Sequence, residues 1–404
     1  MNILLINQFF YPDSAATSQF LTDLARSLAA EGNSVRVICG RSSYAELDCS
    51  DPPEVEIVRT PDVRFARGAL ARVLSYASFL VGSVFHGFFG PKADLVLTLS
   101  TPPGLSLVGS LLKAALGARH FIWEMDVYPD IAVALNVLRQ NSLLTRILGA
   151  SFDWSRRRAD GIIALGEDMR NRLEARNIPR EKIHVAENWA DGREIRPRPF
   201  PKGPLTIHYS GNLGLAHETE TILAVIERLR NHPDFRFIFA GGGSHRPRLE
   251  AFCRTHAIGN VEFRPYCPRT DLGRSLGESH LGLVTQLPQS LGSVVPSKIY
   301  GVMASGRPLL YIGPDKSTPA EHIRRLHCGW RIQPGDAETL VALLHRLNGN
   351  RSLLVQTGAR ARRAFEDNFD RAIAVNRVLE ILDAGWVADL SPVNRGLPAV
   401  VTDV

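Results

Sequence analysis

The first half of the chain alternates short apolar runs with longer segments whose apolar residues recur at helical spacing. Such runs predict buried strands, and the segments between them predict helices packed on a sheet. The predicted strands are Asn2–Asn7, Ser34–Cys39, Glu54–Arg59, Asp94–Leu99, His120–Glu124 and Gly161–Ala164. The predicted helices are Thr17–Glu31, an apolar segment at Val73–Phe89, Leu105–Leu116, Arg146–Arg158 and Asp168–Ala175. This alternation is typical of a doubly wound parallel sheet.

Residues 189–204 interrupt the pattern with glycines and prolines, which is the composition of a linker. The alternation then resumes, with strands predicted at Leu205–Tyr209, Phe235–Ala240, Val261–Arg264, Leu281–Val284 and Leu309–Ile312. The pattern predicts an α/β fold of two Rossmann-like, doubly wound domains that face each other across a cleft. Their expected bounds are 1–188 and 205–371, followed by a helix at 372–390 that crosses back to the first domain and a tail at 391–404.

Composition and charge narrow the ligand class. The 404 residues are 45% hydrophobic and 22% charged, as in an ordinary soluble protein of two domains. Residues 1–190 hold 20 basic and 20 acidic side chains, and the remainder holds 27 and 21, so the net charge of +6 arises in the second half. A basic second half favours an anionic ligand such as a nucleotide diphosphate, although arginines placed for solubility give the same excess. No nucleic-acid-binding motif is recognisable, and nucleic acid is not expected as a partner.

Cysteine and histidine usage predicts neither disulfides nor a metal site. The five cysteines are scattered without a Cys-x-x-Cys pair, and the twelve histidines have no metal-ligand spacing. The chain opens with a short strand rather than a signal peptide. Reduced thiols in a cytoplasmic protein are therefore expected.

The apolar segment Val73–Phe89 raises the question of a membrane. It is at the short end of a spanning length and contains serines, glycines and a histidine, so a span is not expected. One interpretation is peripheral contact with the inner face of the cytoplasmic membrane, since Arg64, Arg67 and Arg72 precede it. The other is a helix packed on the sheet.

Two glycine-containing loops follow predicted strands of the second domain. Gly211, Asn212 and Gly214 lie directly after the first of these strands, where the backbone could approach a phosphate closely. A second loop, residues 240–244, follows the next strand. Tyr266 is a candidate to pack on a nucleobase, with an ordinary turn aromatic as the alternative.

The segment Val295–Tyr311 predicts a helix that begins near Pro296 and Ser297 and ends at Gly306. Unpaired backbone N–H groups at such a start, together with the charge of Lys298, would suit a diphosphate. An ordinary capped core helix is the alternative.

Acid–base candidates come from the first half. Glu124 and Asp126 fall on one face at the carboxyl end of a strand, and Asp126, which lies further into the loop, is the preferred catalytic candidate. Its alternative role is a helix cap. Asp13, Ser14 and Thr17, after the first strand, either bind the acceptor or cap the helix there. The loop has no Gly-x-Gly-x-x-Gly, which argues against a nicotinamide enzyme. The Arg156–Arg158 run reads as a solvated helix face.

With these residues assembled, the chain resembles the retaining glycosyltransferases of family 4, which have the GT-B fold, and in particular the branch that builds bacterial exopolysaccharide, capsule and colanic-acid-type chains. The resemblance covers nearly the whole chain. It rests most specifically on Pro296-Ser-Lys together with Met303-Ala-Ser-Gly-Arg-Pro. Asp126-Val-Tyr-Pro-Asp and Tyr209-Ser-Gly-Asn-Leu-Gly support it.

The resemblance implies transfer of a hexose from a nucleotide-diphosphate sugar to a hydroxyl, with retention and without a metal or other cofactor. The acceptor it implies is a lipid-linked glycan at the cytoplasmic face. The acceptor would approach Asp126 and the loop of Asp13, Ser14 and Thr17. The donor-binding positions are Gly211, Asn212, Gly214, Tyr266, Ser293, Pro296, Ser297, Lys298 and Glu321.

The sequence departs from the family at the donor site. Family members often carry two glutamates eight positions apart, which here are Ser293 and Gly301, and the usual phosphate-binding Arg and Lys are Asn212 and His217. Lys298 is left as the expected cation. Glu321 is a candidate replacement acid, with a role at the start of its helix as the alternative. A nucleotide-sugar isomerase or epimerase on this fold, and a non-catalytic sugar-nucleotide-binding protein, are the two alternative functions.

Overall fold

The computed structural model describes residues 1–13, 15–41, 52–60 and 69–387. The first domain contains a parallel sheet of seven strands flanked by helices on both faces. In chain order its elements are β1 (Asn2–Ile6), α1 (Ala16–Ala30), β2 (Ser34–Gly40), β3 (Glu56–Thr60), α2 (Ala69–Phe88), β4 (Leu95–Leu99), α3 (Leu105–Leu116), β5 (Arg119–Glu124), α4 (Asp130–Ala134), α5 (Leu143–Arg158), β6 (Gly161–Ala164), α6 (Glu167–Glu174) and β7 (Ile183–Val185).

In the strand order β3-β2-β1-β4-β5-β6-β7, the chain adds strands outward from β1 as far as β3 and then adds β4 to β7 on the other side of β1. This change of direction puts α1 and α2 on opposite faces of the sheet. Alternate residues of β1 face the two resulting cores. Ile3 and Leu5 pack with α1, whereas Leu4 and Ile6 pack with α2 and α3. Because all strands are parallel, their carboxyl ends lie at one edge of the sheet, where β5 leads directly to Asp126.

The second domain repeats this design with a six-stranded parallel sheet of order β10-β9-β8-β11-β12-β13. Its elements are β8 (Leu205–Ser210), α7 (Glu220–Arg228), β9 (Phe235–Ala240), α8 (Arg246–Thr255), β10 (Val261–Arg264), α9 (Leu272–Gly277), β11 (Leu281–Thr285), α10 (Lys298–Ala304), β12 (Leu309–Ile312), α11 (Thr318–Leu326), β13 (Gly329–Ile332), α12 (Ala337–Gly349), α13 (Arg351–Asn368) and α14 (Arg371–Val387).

The predicted fold class is confirmed. All eleven predicted strands are present within two residues of their expected ends, because each is a short segment rich in apolar residues. β7 and β13, of three and four residues, were not predicted.

The last helix, α14, returns to the first domain and packs on α1, with Val375, Val378 and Leu382 buried in that domain's core. A polar cluster lies beside it. The Arg371 guanidinium lies 2.9 Å from Asp191 Oδ2, and the Trp189 indole N–H donates to Asp23 Oδ2 at 3.0 Å. The chain therefore connects the two domains twice, at residues 186–204 and at α14.

Candidate active site

The carboxyl edges of the two sheets meet through main-chain contacts. Asp126 pairs with Val294 in an isolated antiparallel bridge, and the Val127 N–H donates to the Ser293 carbonyl at 2.8 Å. These residues immediately follow β5 in one domain and precede α10 in the other. Two segments that are far apart in the chain thus form one site.

Asp126 is held in this position by its backbone. Ser100 Oγ accepts hydrogen bonds from the N–H groups of Met125 at 3.1 Å and Asp126 at 3.0 Å. Burial, together with the nearby Glu124, raises the pKa of the Asp126 carboxyl to about 6. A carboxyl with that pKa changes protonation close to neutral pH, which suits a group that binds or exchanges a hydroxyl proton.

Glu124 and Asp126 line one narrow pocket, as their spacing predicts, but they differ in their partners. Glu124 Oε1 accepts from Arg156 Nε at 2.6 Å, and both side chains are 3% exposed. Arg156 also contacts Asp153 at 3.1 Å, and Arg176 holds Asp153 at 2.7 Å. Glu124 is therefore a structural carboxylate, and Asp126 is the one that faces the site. The interpretation of Arg156 as a solvated residue is wrong, because its partner comes from the neighbouring strand.

The two glycine-containing loops pack directly on each other. The Gly211 N–H donates to the Ala240 carbonyl at 2.8 Å, and the Leu213 N–H donates to the Gly242 carbonyl at 2.7 Å. Gly241 has a φ of 121°, and a β-carbon there would collide with the Gly211 carbonyl oxygen. Glycine is required at this position by both its backbone conformation and the lack of space.

Lys298 extends across the first of these loops. A β-carbon on Gly211 would lie 2.7 Å from Lys298 Cε, so the glycine makes room for the lysine side chain. The ammonium lies 5.3 Å from the centre of the Tyr209 ring. No carboxylate of the described residues lies within ion-pair distance of it. Burial lowers the pKa of Lys298 to about 8. A desolvated cation without a carboxylate partner is well suited to bind an anionic ligand.

His217 completes the surroundings of this lysine. His217 Nδ1 lies 2.9 Å from the Thr285 carbonyl oxygen, which can only accept, so Nδ1 carries the proton. Nε2 then offers its lone pair to Lys298 Nζ at 3.4 Å. The Tyr209 hydroxyl donates its hydrogen bond to the Asn212 carbonyl oxygen at 2.7 Å rather than to His217 Nε2. Burial and the charge of Lys298 lower the pKa of His217 to about 3, which keeps the imidazole neutral.

Tyr266 and Asn212 form the exposed rim of the same loops. The Tyr266 hydroxyl lies 3.4 Å from Asn212 Oδ1, and its ring lies beside Gly242. The side chain is 51% exposed, at the edge of these loops. Gly214 lies in the same loop, where its carbonyl accepts from the His217 N–H at 3.1 Å.

The other donor-site candidates are less closely associated with this cluster. Ser293 is buried, and its Oγ has no partner among the described residues. Pro296 and Ser297 lie directly before α10, as predicted, but the helix has only seven residues and Lys298 is its first. The lysine charge therefore outweighs the dipole of so short a helix. A β-carbon on Gly301 would contact only Ile195 and Leu276, both at 3.8 Å.

Glu321 lies in the first turn of α11, on its exposed side, and pairs with Arg324 and, at 4.0 Å, with Arg325. Within the described chain it has no contact with Lys298, and its position suits the helix-end role. On the acceptor side, Asp13 Oδ1 accepts from the Ala15 N–H at 2.7 Å just before α1. Thr17 is half-buried in the first turn of that helix, and Ser14 lies outside the described residues.

Several residues form hydrogen bonds between the two domains that no sequence pattern predicted. Asp168 Oδ1 accepts from the Thr318 hydroxyl at 2.6 Å. Glu187 Oε2 accepts from the Tyr300 hydroxyl at 2.8 Å and lies 2.6 Å from His322 Nε2. Each pair joins residues more than a hundred positions apart, so no local spacing could have identified it.

Two family profiles match successive parts of the chain. The profile described as a glycosyl transferase 4-like domain matches residues 16–189, and the one described as glycosyl transferases group 1 matches residues 191–364. The chain belongs to glycosyltransferase family 4. Asp126 lies within the first matched domain of this glycosyltransferase, and Lys298 with both glycine-containing loops lies within the second.

Known proteins agree with this assignment. The glycosyltransferase is 27% identical over 267 residues to WbjE of Pseudomonas aeruginosa, described as a probable glycosyltransferase, covering 63% of this chain and just under two thirds, 66%, of WbjE. It is 24% identical to the Escherichia coli K12 protein WcaI, named for colanic acid biosynthesis, covering 76% of this chain and 82% of WcaI. The crystal structure of Anabaena HepE with UDP-glucose matches with a TM-score of 0.72 and 14% identity, over 95% of this chain and 100% of that one. That likeness establishes the GT-B fold.

Proposed function

We propose that this glycosyltransferase moves a hexose from a nucleotide-diphosphate sugar to a lipid-linked glycan, with retention of the anomeric configuration, in the synthesis of a cell-surface polysaccharide. One observation carries the proposal. The pairing of Asp126 and Val127 with Ser293 and Val294 joins a carboxylate of one domain to the segment that leads to the half-buried cation Lys298. A donor bound on the second domain would meet an acceptor held by the first.

The donor side is supported by Lys298 and the glycine-containing loops, which combine a desolvated charge with closely approachable backbone. HepE, with the same fold, was crystallised with UDP-glucose. Because Lys298 supplies positive charge where a diphosphate would leave, we propose that transfer requires no metal. EDTA is expected to leave the rate unchanged, and restoration of lost activity by Mg²⁺ would contradict this part of the proposal.

In the proposed reaction, the bond between the sugar C1 and the diphosphate oxygen breaks. The acceptor oxygen bonds to C1 on the same face, and its proton passes to the leaving diphosphate. Lys298 stabilises the charge that develops on that diphosphate. Asp126 accepts a hydrogen bond from another hydroxyl of the acceptor sugar and so orients the attacking hydroxyl, and no protein nucleophile is needed.

The proposed acceptor is supported by the name of a relative and by the position of the residues near Asp126. WcaI is named for colanic acid biosynthesis, and this supports a glycan acceptor. We propose that the acceptor is carried on a lipid and that the enzyme works at the inner face of the cytoplasmic membrane. Asp13 and Thr17 lie at the same edge of the sheet as Asp126, and together with Ser14 they remain predicted acceptor contacts.

A panel of radiolabelled nucleotide-diphosphate hexoses, incubated with the protein and a membrane extract, tests the function. Label that moves into the lipid fraction supports transfer, and NMR of the product linkage then tests retention. An altered sugar still attached to the nucleotide would establish an isomerase instead. Binding without turnover would establish a non-catalytic protein, the alternative that the absent carboxylates at Ser293 and Gly301 favour.

His217 offers a test of the donor site itself. We expect His217→Leu to weaken donor binding by about 2- to 10-fold, since it removes one hydrogen bond to Lys298. His217→Gln, which keeps an acceptor there, is the matched control and should lose less. Equal donor dissociation constants for both variants and the wild type, measured by calorimetry, would show that His217 does not orient the lysine.

A further inference from the structure

An uncharged apolar stripe runs along the outer side of α2. Val73, Val81 and Phe85 are 60%, 70% and 56% exposed, and Phe89, just beyond the helix, is 78% exposed. The opposite side of α2 packs on the sheet through the fully buried Phe79. Between Val73 and Phe88 the helix is therefore apolar on both sides. Arg72 lies in its first turn, and Arg64 and Arg67 lie outside the described residues. Within the described residues, no helix is long and apolar enough to cross a membrane.

A second stripe, which the sequence pattern did not single out, lies on α5. Leu143, Ile147 and Trp154 recur at helical spacing and are 72%, 54% and 44% exposed. The helices α2 and α5 lie on either side of α3 on the same face of the sheet. The hydroxyls of Ser110 on α3 and Ser155 on α5 lie 2.9 Å apart, and Leu111 of α3 is 49% exposed. The outward sides of α2, α3 and α5 together are called the three-helix face.

The exposed charges on α5 have one sign, and just beyond its end Asp160 pairs with Lys113 of α3 at 2.5 Å. Arg146, Arg157 and Arg158 are exposed on α5, and the Arg158 guanidinium lies 5.1 Å from the centre of the Trp154 ring. The described parts of α2 and α3 contain no carboxylate. The one carboxylate of α5, Asp153, is turned inward onto Arg156 and Arg176.

We infer that the three-helix face docks on an anionic phospholipid bilayer, an inference that rests on the proposed function because it specifies where the lipid-linked acceptor is met. Apolar side chains beside an arginine-flanked tryptophan match the boundary between acyl chains and anionic head groups. Docking of two copies through this face would instead bring arginines against arginines. The pocket that contains Asp126 is lined by Leu105 of α3 and Phe152 of α5, so it opens beside the docked surface.

Vesicle flotation of the full chain tests the inference. Wild type should float with vesicles of phosphatidylglycerol and phosphatidylcholine and not with phosphatidylcholine alone, and added salt should weaken binding. Replacing Leu143, Ile147 and Trp154 together by serine should weaken vesicle binding at least about tenfold, because each substitution removes apolar surface that would otherwise enter the bilayer. The matched control is Val355→Ser on α13, which is 53% exposed in the other domain and should bind as wild type does.

Undiminished vesicle binding by the triple variant would overturn the inference. So would a wild-type dimer, detected by sedimentation, that the triple variant loses, because the face would then join two copies. Transfer to a detergent-solubilised acceptor separates this result from the function. A wild-type protein that transfers sugar but does not float disproves docking alone, whereas one that floats but transfers nothing disproves the function alone.

Discussion

Asp126→Asn lowers kcat by about 100-fold while donor affinity changes far less, because the amide keeps the shape of the side chain but orients the acceptor hydroxyl poorly. The backbone at this position is fixed by Ser100 and by the bridge to Val294, so the substitution should leave the local fold intact. Steady-state kinetics with varied donor and acceptor separates the two effects. Wild-type turnover in the variant would remove Asp126 from the mechanism.

The pH profile gives this prediction a second readout. The ionised carboxylate accepts a much stronger hydrogen bond than the neutral carboxyl, and its pKa is raised to about 6, so kcat/KM should fall below pH 6 by up to about tenfold per pH unit. That acidic limb should be absent in Asp126→Asn. Glu321→Gln is the matched control, because its carboxylate is exposed and paired with Arg324. A loss of donor affinity in this control would show that Glu321 does replace a family glutamate.

Lys298→Ala lowers kcat/KM by about 10²- to 10³-fold, the effect expected on removing one preorganised charge from a leaving group in a water-poor site. The donor dissociation constant should rise as well, since the same ammonium holds the ground-state diphosphate. Lys316→Ala, which removes an exposed lysine from the same domain, is the control and should behave as wild type. Unchanged donor affinity in Lys298→Ala would place the phosphates elsewhere.

Lys298→Arg distinguishes charge from a structural role. The lysine pKa is lowered to about 8, and an anionic donor binds the protonated form. Donor affinity of the wild type should therefore fall as pH rises above 8, by up to about tenfold per pH unit. The arginine variant stays charged and should lose this dependence, even if its bulk weakens binding at every pH. Calorimetric titrations from pH 7 to about 10 measure both slopes.

The glycine-containing loops show which parts of a candidate site can be predicted locally. Gly211, Asn212 and Lys298 are predicted because each lies where a strand ends or a helix begins, and those signals span only a few neighbouring residues. The role of His217 could not be predicted from neighbouring residues. The sequence identified it only as the residue in place of a family lysine, whereas its tautomer depends on the carbonyl of Thr285, which lies on another strand.

The amino-acid sequence by itself determined the two doubly wound domains, the strand ends that carry the candidate residues and the membership in family 4. These follow from apolar runs, turn residues and short motifs, all of which act over a few residues. The tertiary structure alone decided which of two adjacent carboxylates is available. Arg156, from a helix beyond β5, neutralises Glu124, while Ser100 and Val294 present Asp126 to the cleft. The physical reason is that a carboxylate's role depends on the charges and donors around it, and folding brings these together from distant parts of the chain.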